Sequence, residues 1–211
     1  MCRDRPYFPI APRYHLSVCS ITKVASTINT ATFCYLNNRT AFLAGNRRIS
    51  KESYHTRNFT TVQHLLGEKR VEYVVVRNPI SRFLSGYTDK CINEGRVKKD
   101  ICFGCQQNMG CFLENLYSLM GTIQLSIDRG HTLVLTHFAP QTWYCNFKEN
   151  LHNYTIIRYE EDGRTAHVTA GSKNRIKAEQ TLLSNKTLLT LLTQIYYYDF
   201  IVFDFKLPII I

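Results

Sequence analysis

A lysine followed by small and hydroxyl-bearing residues is the first stretch of the chain suited to chemistry. Lys23 comes just after a mostly apolar run at positions 16–21, and the residues that follow it are Val24, Ala25, Ser26 and Thr27. Apolar residues then recur at helical spacing as far as position 36. The pattern predicts a strand, a tight loop and a helix, with Ser26 or Thr27 as the N-cap. Such a loop directs backbone N–H groups and a helix dipole at one point, so we predict an anion site that Lys23 completes.

A second candidate anion site begins 54 residues after Lys23, at Arg77. The preceding run, VEYVVV at positions 71–76, is typical of a strand buried on both faces of a parallel sheet. Arg77 therefore stands at a strand end, where open α/β sheets bind ligands. Ser85 follows about two turns into the next predicted helix, and an arginine and a hydroxyl that converge there can hold a phosphate. The chain lacks the Gly-x4-Gly-Lys pattern, so neither site is a Walker A loop.

Together the two motifs resemble those of the sulfotransferases, specifically the Golgi membrane-anchored carbohydrate sulfotransferases of the chondroitin and heparan type. In that family a lysine-containing strand–loop–helix holds the 5′-phosphosulfate of the donor 3′-phosphoadenosine 5′-phosphosulfate. A later Arg-(Asp/Asn)-Pro…Arg-(hydrophobic)2-Ser-x-Tyr segment, matched here by residues 77–87, holds the 3′-phosphate. The His-x-x-Pro-Gln segment at His137, Cys145 and the aromatic block at positions 196–205 extend the resemblance over residues 13–208. The cysteine-rich segment at 91–111 is similar to nematode members.

The resemblance implies a role for each matching residue. The donor-binding residues that it implies are Lys23, Val24, Ala25, Ser26, Thr27, Arg77 and Ser85, with Lys173 and Arg175 added by a late basic loop that folds over the nucleotide. A solvated charged turn is the alternative for those last two residues. Lys23 would also be catalytic, because it can neutralise the bridging oxygen as the bond to sulfur breaks. His137 is our first candidate for the general base, with His55 and Glu52 as alternatives. The reaction requires no metal.

At three positions in or beside the two motifs the chain lacks the residue that is common in the family. Thr22 replaces a common proline, Ala25 replaces a frequent glycine, and Asn78 replaces aspartate. Ala25 suits the loop only if the backbone there needs no positive φ. We expect the position of Asn78 to have a structural role.

The charge balance of the 211-residue chain limits its partners. Lysine and arginine total 26 against 16 acidic residues, which gives a formal net charge of +10. Such a charge indicates anionic partners. The basic residues are scattered and no zinc-finger or RNP signature is present, which argues against nucleic acid. The charge leaves a nucleotide, a membrane surface and an acidic polysaccharide open as partners. The resemblance to the carbohydrate sulfotransferases implies that the acceptor is a glycosaminoglycan or a related glycan.

Eight cysteines and four N-glycosylation sequons, at Asn38, Asn58, Asn153 and Asn185, favour a secretory-pathway lumen. Cys102-x2-Cys105 also permits a zinc site, but no second matched pair follows, so we expect disulfides whose connectivity the sequence does not reveal. No apolar run is long enough to span a membrane. Either an N-terminal anchor lies outside this sequence or the inferred compartment is wrong, and we favour the anchor. The resemblance implies that the protein is in the Golgi lumen, and secretion is the alternative.

Alternation of strands and helices predicts an α/β fold with a P-loop-like, largely parallel central sheet flanked by helices. We expect an extended lead-in at residues 1–12 and a single domain at 13–211. The predicted strands are 16–21, 71–76, 132–135 and 154–159. Helices are predicted from the Ser26 or Thr27 cap to position 36, from 81 to 93 and near 112–127. Residues 176–198 suit one long helix or two helices broken near Asn185.

Two other functions compete with sulfotransfer at this point. A non-catalytic relative would bind an anionic glycan or spent nucleotide, keeping Arg77 and the positive charge without turnover. A nucleotide-dependent kinase is disfavoured because the Walker A pattern and a separate acidic residue placed for magnesium are both missing.

Overall fold

A five-stranded sheet and ten α-helices make up the computed structural model in the parts of the chain that it describes, residues 8–45, 55–56, 59–94, 99–122, 132–159 and 171–210. The chain divides into two compact units. The first unit comprises Met1–Val76 and Gln141–Tyr159, and the second comprises Arg77–Pro140 and Glu160–Ile211.

The strands and helices alternate along much of the chain. In chain order they are β1 (Phe8–Ala11), β2 (Leu16–Cys19), α1 (Ser26–Asn37), α2 (Arg39–Ala44), β3 (His55–Thr56), α3 (Phe59–Leu66), β4 (Val71–Arg77), α4 (Pro79–Tyr87), α5 (Met109–Thr122), α6 (Thr132–Phe138), α7 (Phe147–Asn150), β5 (Thr155–Tyr159), α8 (Lys173–Leu183), α9 (Lys186–Ile195) and α10 (Tyr197–Val202). A π-helical segment, Thr88–Asn93, directly continues α4.

The sheet has the strand order β3-β1-β2-β4-β5. Its central pair, β2 and β4, is parallel and in register from Leu16 opposite Val71 to Cys19 opposite Val74. β1 pairs antiparallel with both β2 and β3. The parallel pair, flanked by helices, confirms the predicted α/β class. It also means that the segments following β2 and β4 leave the sheet at the same edge.

The two faces of β2 are covered differently within the first unit. Val18, on one face, belongs to a buried cluster with Ala11 and with Phe33 of α1. Cys19, on the opposite face, forms a disulfide with Cys145 across 126 residues of sequence. The strand that leads into the Lys23 loop is therefore fixed by apolar packing on one side and by a covalent bond on the other.

An aromatic core organises the second unit. Phe112 of α5 lies between rings of its neighbours, with ring centroids 4.7 Å from Phe138 and 5.7 Å from Tyr87. Phe83 of α4 is 6.4 Å from Tyr196, which follows α9. The members of this cluster are buried, and packing of this kind aligns helices by shape as well as by area.

The cysteine-rich segment is closed by disulfides, as expected. Cys91 pairs with Cys102, and Cys105 pairs with Cys111, so the two cysteines of the C-x2-C pattern take part in separate bonds. Both bonds lie within the second unit. Short loops closed in this way restrict the unfolded chain and stabilise the segment that leads into α5.

Several sequence predictions meet the structure directly. Strand β4 is confirmed. Of the two alternatives for residues 176–198, the structure has the two helices α8 and α9, and Asn185 caps α9 by accepting from the backbone N–H of Leu188. The strand predicted at 132–135 is wrong, because this segment forms α6 with Val134 and Phe138 buried one turn apart. A short apolar run does not distinguish a strand from a buried helix by periodicity alone. Residues 8–11 of the predicted lead-in form β1.

Candidate functional site

The Lys23 loop joins β2 to α1 through two residues with left-handed backbone. Lys23 has a φ of 68° and Ala25 has a φ of 64°. The condition set for Ala25, that the loop needs no positive φ there, is therefore not met. Non-glycine residues adopt this region at an energetic cost, and such residues concentrate at functional sites. The loop is held in this shape by the strand and the helix that it connects.

The start of α1 also differs from the prediction. Ala25 is the N-cap, and neither Ser26 nor Thr27 caps the helix, since no side chain of the described residues forms an N-terminal cap bond there. The left-handed Ala25 turns the chain directly into α1, so Ser26 is the first residue of the helix. The Ser26 carbonyl accepts from the Thr30 hydroxyl at 2.9 Å. First-turn N–H groups without a side-chain cap are suited to an external anion.

The five loop residues differ in exposure. Lys23, Ala25 and Ser26 are half-buried, Thr27 is exposed and Val24 is buried. Because the Val24 side chain is buried, its contribution to a ligand is through its backbone. The Lys23 ammonium and the Ser26 and Thr27 hydroxyls supply the side-chain chemistry.

Arg77 is the last residue of β4 and is 8% exposed. Asn78 follows as the N-cap of α4, and its Oδ1 accepts from the N–H groups of Ile80 at 3.0 Å and Ser81 at 3.2 Å. This bond pattern confirms a structural role for position 78, which asparagine fills without a charge. The cap fixes how the helix that carries Ser85 leaves the strand that carries Arg77.

Ser85 lies on the less buried face of α4. It is half-buried, as is Ser81 one turn earlier, whereas Arg82 and Gly86 are buried. Helical geometry places residues four apart on one face, so the two serines form a polar strip along the helix. The hydroxyl of Ser85 therefore belongs to the open side of α4 rather than to the aromatic core.

Lys173 and Arg175 lie in the first turn of α8, so the prediction that they belong to a loop is wrong. Ser172 caps the helix by accepting from the N–H of Arg175 at 3.3 Å, and this cap extends the helix through both residues. Lys173 is exposed and Arg175 is 5% exposed. The predicted loop covers positions 165–175, and its residues 165–170 lie outside the described residues.

Arg175 is a buried cation with spare hydrogen-bonding capacity. Among the described residues its Nη1 has no hydrogen-bond partner, and the Glu179 carboxylate is 3.9 Å away. Desolvation lowers the pKa of Arg175, and the charge of Glu179 opposes that shift. A buried guanidinium is costly unless an anion compensates it, so Arg175 is suited to holding a phosphate.

His137 occupies the last turn of α6 and is half-buried. The two residues after it are held by side chains that sequence reasoning missed. Arg82 donates from Nη1 to the Ala139 carbonyl at 2.8 Å, and Tyr196 donates its hydroxyl to the Phe138 carbonyl at 2.7 Å. The signal for Arg82 was present, because an arginine beside Phe83 and one turn before Gly86 stands on the apolar face of α4. Of the alternative bases, Glu52 and the side chain of His55 lie outside the described part of the chain.

The chain resembles known proteins over most of its length. Residues 6–168 match the profile of the sulfotransferase family. The chain is 29% identical to carbohydrate sulfotransferase chst-1 of Caenorhabditis elegans, over 96% of this chain and 76% of that protein. It is 26% identical to protein C18B2.2 of the same organism, over 95% of this chain and 69% of that protein. No solved structure shows significant similarity to the chain.

Proposed function

Because the chain belongs to the sulfotransferase family, we propose that it transfers a sulfuryl group from 3′-phosphoadenosine 5′-phosphosulfate to a hydroxyl of a glycosaminoglycan or a related glycan. The single observation that carries the proposal within the structure is the Lys23 loop, with its two left-handed residues and a helix start that no described side chain caps. The name of chst-1, a carbohydrate sulfotransferase, supports a glycan acceptor.

The 5′ end of the donor is assigned to the Lys23 loop. The backbone N–H groups of Val24 and Ala25, those of the first turn of α1, and the hydroxyls of Ser26 and Thr27 hold the 5′-phosphate. The positive end of the helix dipole favours this anion. The Lys23 ammonium lies against the oxygen that bridges phosphorus and sulfur.

The 3′-phosphate is assigned to Arg77 and Ser85. A guanidinium offers a planar set of donors that matches phosphate oxygens, and the serine hydroxyl adds a further donor. Arg175 is the additional ligand that the structure favours, because its buried Nη1 lacks a hydrogen-bond partner among the described residues. Lys173, which is exposed at the start of α8, contributes longer-range attraction to the nucleotide.

The chemistry is an in-line displacement at sulfur. The acceptor hydroxyl oxygen forms a bond to sulfur as the bond from sulfur to the bridging oxygen breaks. His137 accepts the hydroxyl proton, and Lys23 neutralises the negative charge that develops on the departing phosphate. The reaction leaves a sulfate ester and adenosine 3′,5′-bisphosphate. Positioning and electrostatic stabilisation account for the catalysis.

We assign the reaction to the Golgi lumen or the secreted state. The three disulfides among the described residues fit an oxidising compartment. Asn38, Asn153 and Asn185 are exposed, as glycosylated asparagines must be, and Asn58 lies outside the described residues. Among the described residues, no helix combines the length and the apolar character that crossing a bilayer requires. Membrane attachment through an N-terminal anchor remains part of the proposal.

Catalysis is tested by Lys23→Ala. The substitution should lower kcat for sulfate transfer to desulfated chondroitin or heparan about a hundredfold, because the lost interaction forms in the transition state. Affinity for adenosine 3′,5′-bisphosphate should fall much less, since this product lacks the sulfuryl group. Lys148→Ala, which removes an exposed lysine from the same unit, is the matched control for net charge. Unchanged transfer by Lys23→Ala would remove Lys23 from catalysis.

Donor binding is tested by Arg77→Ala. Calorimetry should show weaker binding of adenosine 3′,5′-bisphosphate by about 1.5–3 kcal/mol, the contribution of a charge-assisted hydrogen bond. AMP lacks the 3′-phosphate and should bind both proteins equally. Equal losses for the two nucleotides would remove Arg77 from the 3′ site. Nucleotide binding by a wild-type protein that transfers no sulfate would instead indicate a non-catalytic relative.

A further inference from the structure

Two buried side chains hold the carboxyl end of the helix that carries His137. Arg82 of α4 is 1% exposed and donates to the Ala139 carbonyl, and Tyr196, also 1% exposed, donates to the Phe138 carbonyl. Both carbonyls belong to the residues directly after His137. Side chains from two different segments of the second unit thus donate hydrogen bonds to consecutive carbonyls at the end of α6.

These bonds answer a general need of helix ends. The last carbonyls of an α-helix have no partner within the helix, and burying them without one is costly. A cation is also favoured at this end by the helix dipole. Arg82 supplies both the donor and the charge, and Tyr196 supplies the second donor. The last turn of α6 is therefore held in one place instead of fraying.

A third contact fixes the same turn from the side. A Cβ atom built at Gly86 would lie 2.9 Å from the Phe138 ring, closer than a real contact permits. The ring therefore packs directly on the backbone of α4. Combined with the two hydrogen bonds, this contact constrains both the height and the rotation of the turn that presents His137.

We propose that Arg82 and Tyr196 are positioning residues for His137, holding its imidazole where it accepts the proton of the acceptor hydroxyl. The proposal rests on the proposed function, in which His137 is the general base. Ser85 extends from the open face of α4 while Arg82 and Gly86 meet α6 from its buried face. Helix α4 thus carries Ser85, which is assigned to the donor 3′-phosphate, and also holds the turn that presents His137.

The test compares two tyrosine-to-phenylalanine substitutions. Tyr196→Phe removes only the hydroxyl that holds the Phe138 carbonyl. Tyr87→Phe is the matched control, because the Tyr87 hydroxyl donates to the Gln107 carbonyl at 2.8 Å and the ring is buried in the same aromatic core. Both variants lose one buried hydrogen bond, so their melting temperatures should fall by similar amounts. Only Tyr196→Phe should affect His137.

The first readout is independent of activity. The imidazole resonances of His137 are followed in histidine-labelled protein and are assigned among the seven histidines with His137→Gln. We expect them to shift in Tyr196→Phe and to stay at the wild-type position in Tyr87→Phe. Arg82→Lys, which keeps the charge but loses the planar donor set, should shift them as well. Resonances that do not move in Tyr196→Phe and Arg82→Lys would overturn the proposal.

The second readout is kinetic. Tyr196→Phe should lower kcat for sulfate transfer about tenfold or more, since small displacements of a catalytic group are costly, while the affinity for adenosine 3′,5′-bisphosphate stays within twofold of wild type. Equal kcat values for Tyr196→Phe and Tyr87→Phe would overturn the positioning role. If the wild type transfers no sulfate, the proposed function fails, and the resonances of His137 still decide whether Tyr196 and Arg82 position it.

Discussion

Substituting Ala25 by glycine tests whether the Lys23 loop stores backbone strain. Ala25 has a φ of 64° and a ψ of 24°, which is the left-handed region. For an alanine this conformation costs about 1–2 kcal/mol relative to the right-handed one. Glycine has no Cβ and adopts the same angles freely. Ala25→Gly therefore removes the strain without changing the path of the loop.

The expected gain is smaller than the strain, because glycine also increases the conformational entropy of the unfolded chain. That opposing contribution is about 0.4–1 kcal/mol. The difference predicts that Ala25→Gly raises the free energy of unfolding by about 0.5–1 kcal/mol. Substituting glycine for an alanine in ordinary helical geometry should instead lower the free energy of unfolding.

Ala31 provides that comparison within the same element. It lies inside α1 and is half-buried, so Ala31→Gly should lower the free energy of unfolding by about 1 kcal/mol. Urea denaturation of both variants, followed by circular dichroism with the slopes compared, measures the contrast. If Ala25→Gly destabilises the protein as much as Ala31→Gly does, Ala25 carries no left-handed strain and the description of the loop fails.

Two further predictions concern stability. Replacing Cys19 and Cys145 by alanine should lower the free energy of unfolding by about 5 kcal/mol, and replacing Cys105 and Cys111 should lower it by about 2 kcal/mol. The difference arises because the loops that the two disulfides close span 126 and 6 residues. Denaturation of the two double variants tests this order. Burial raises the pKa of Tyr87 to about 12, so between pH 10 and 12 the unfolded chain loses a proton that the folded chain keeps. The contribution of Tyr87 to the free energy of unfolding should therefore be constant below pH 10 and should fall by up to about 2 kcal/mol as the pH rises to 12. The fall should be smaller in Tyr87→Phe, which has no hydroxyl to titrate at this position.

The strands and helices around the candidate site could be predicted where an apolar run ends at a polar residue that caps the next helix. The run before Arg77 is β-branched and ends at Asn78-Pro79, a cap followed by a residue that fits the first turn of a helix, so both β4 and α4 follow from local chemistry. The same holds for the helix break at Asn185. In each case the side chain that ends an element also satisfies its backbone.

The remaining features depend on tertiary contacts. The left-handed Ala25 is imposed by the strand and helix that it joins, against the preference of the residue itself. The segment 132–138 becomes a helix because Val134 and Phe138 enter the aromatic core together. The burial of Arg82 follows from its position on the apolar face of α4, but its hydrogen-bond partner does not, because Ala139 lies 57 residues away in sequence.

The disulfide between Cys19 and Cys145 constrains the order in which the protein can be completed. Five other cysteines, at positions 34, 91, 102, 105 and 111, are synthesised between the two partners. At about 5–20 residues per second, the Cys19 thiol waits roughly 6–25 s for its partner to emerge, a time comparable with that of disulfide formation itself. Nearer thiols are therefore presented to Cys19 first during translation. Formation of the disulfide that fixes the end of β2 thus depends on delayed oxidation or on reshuffling by an isomerase. A cell that lacks such an enzyme should accumulate mispaired chains.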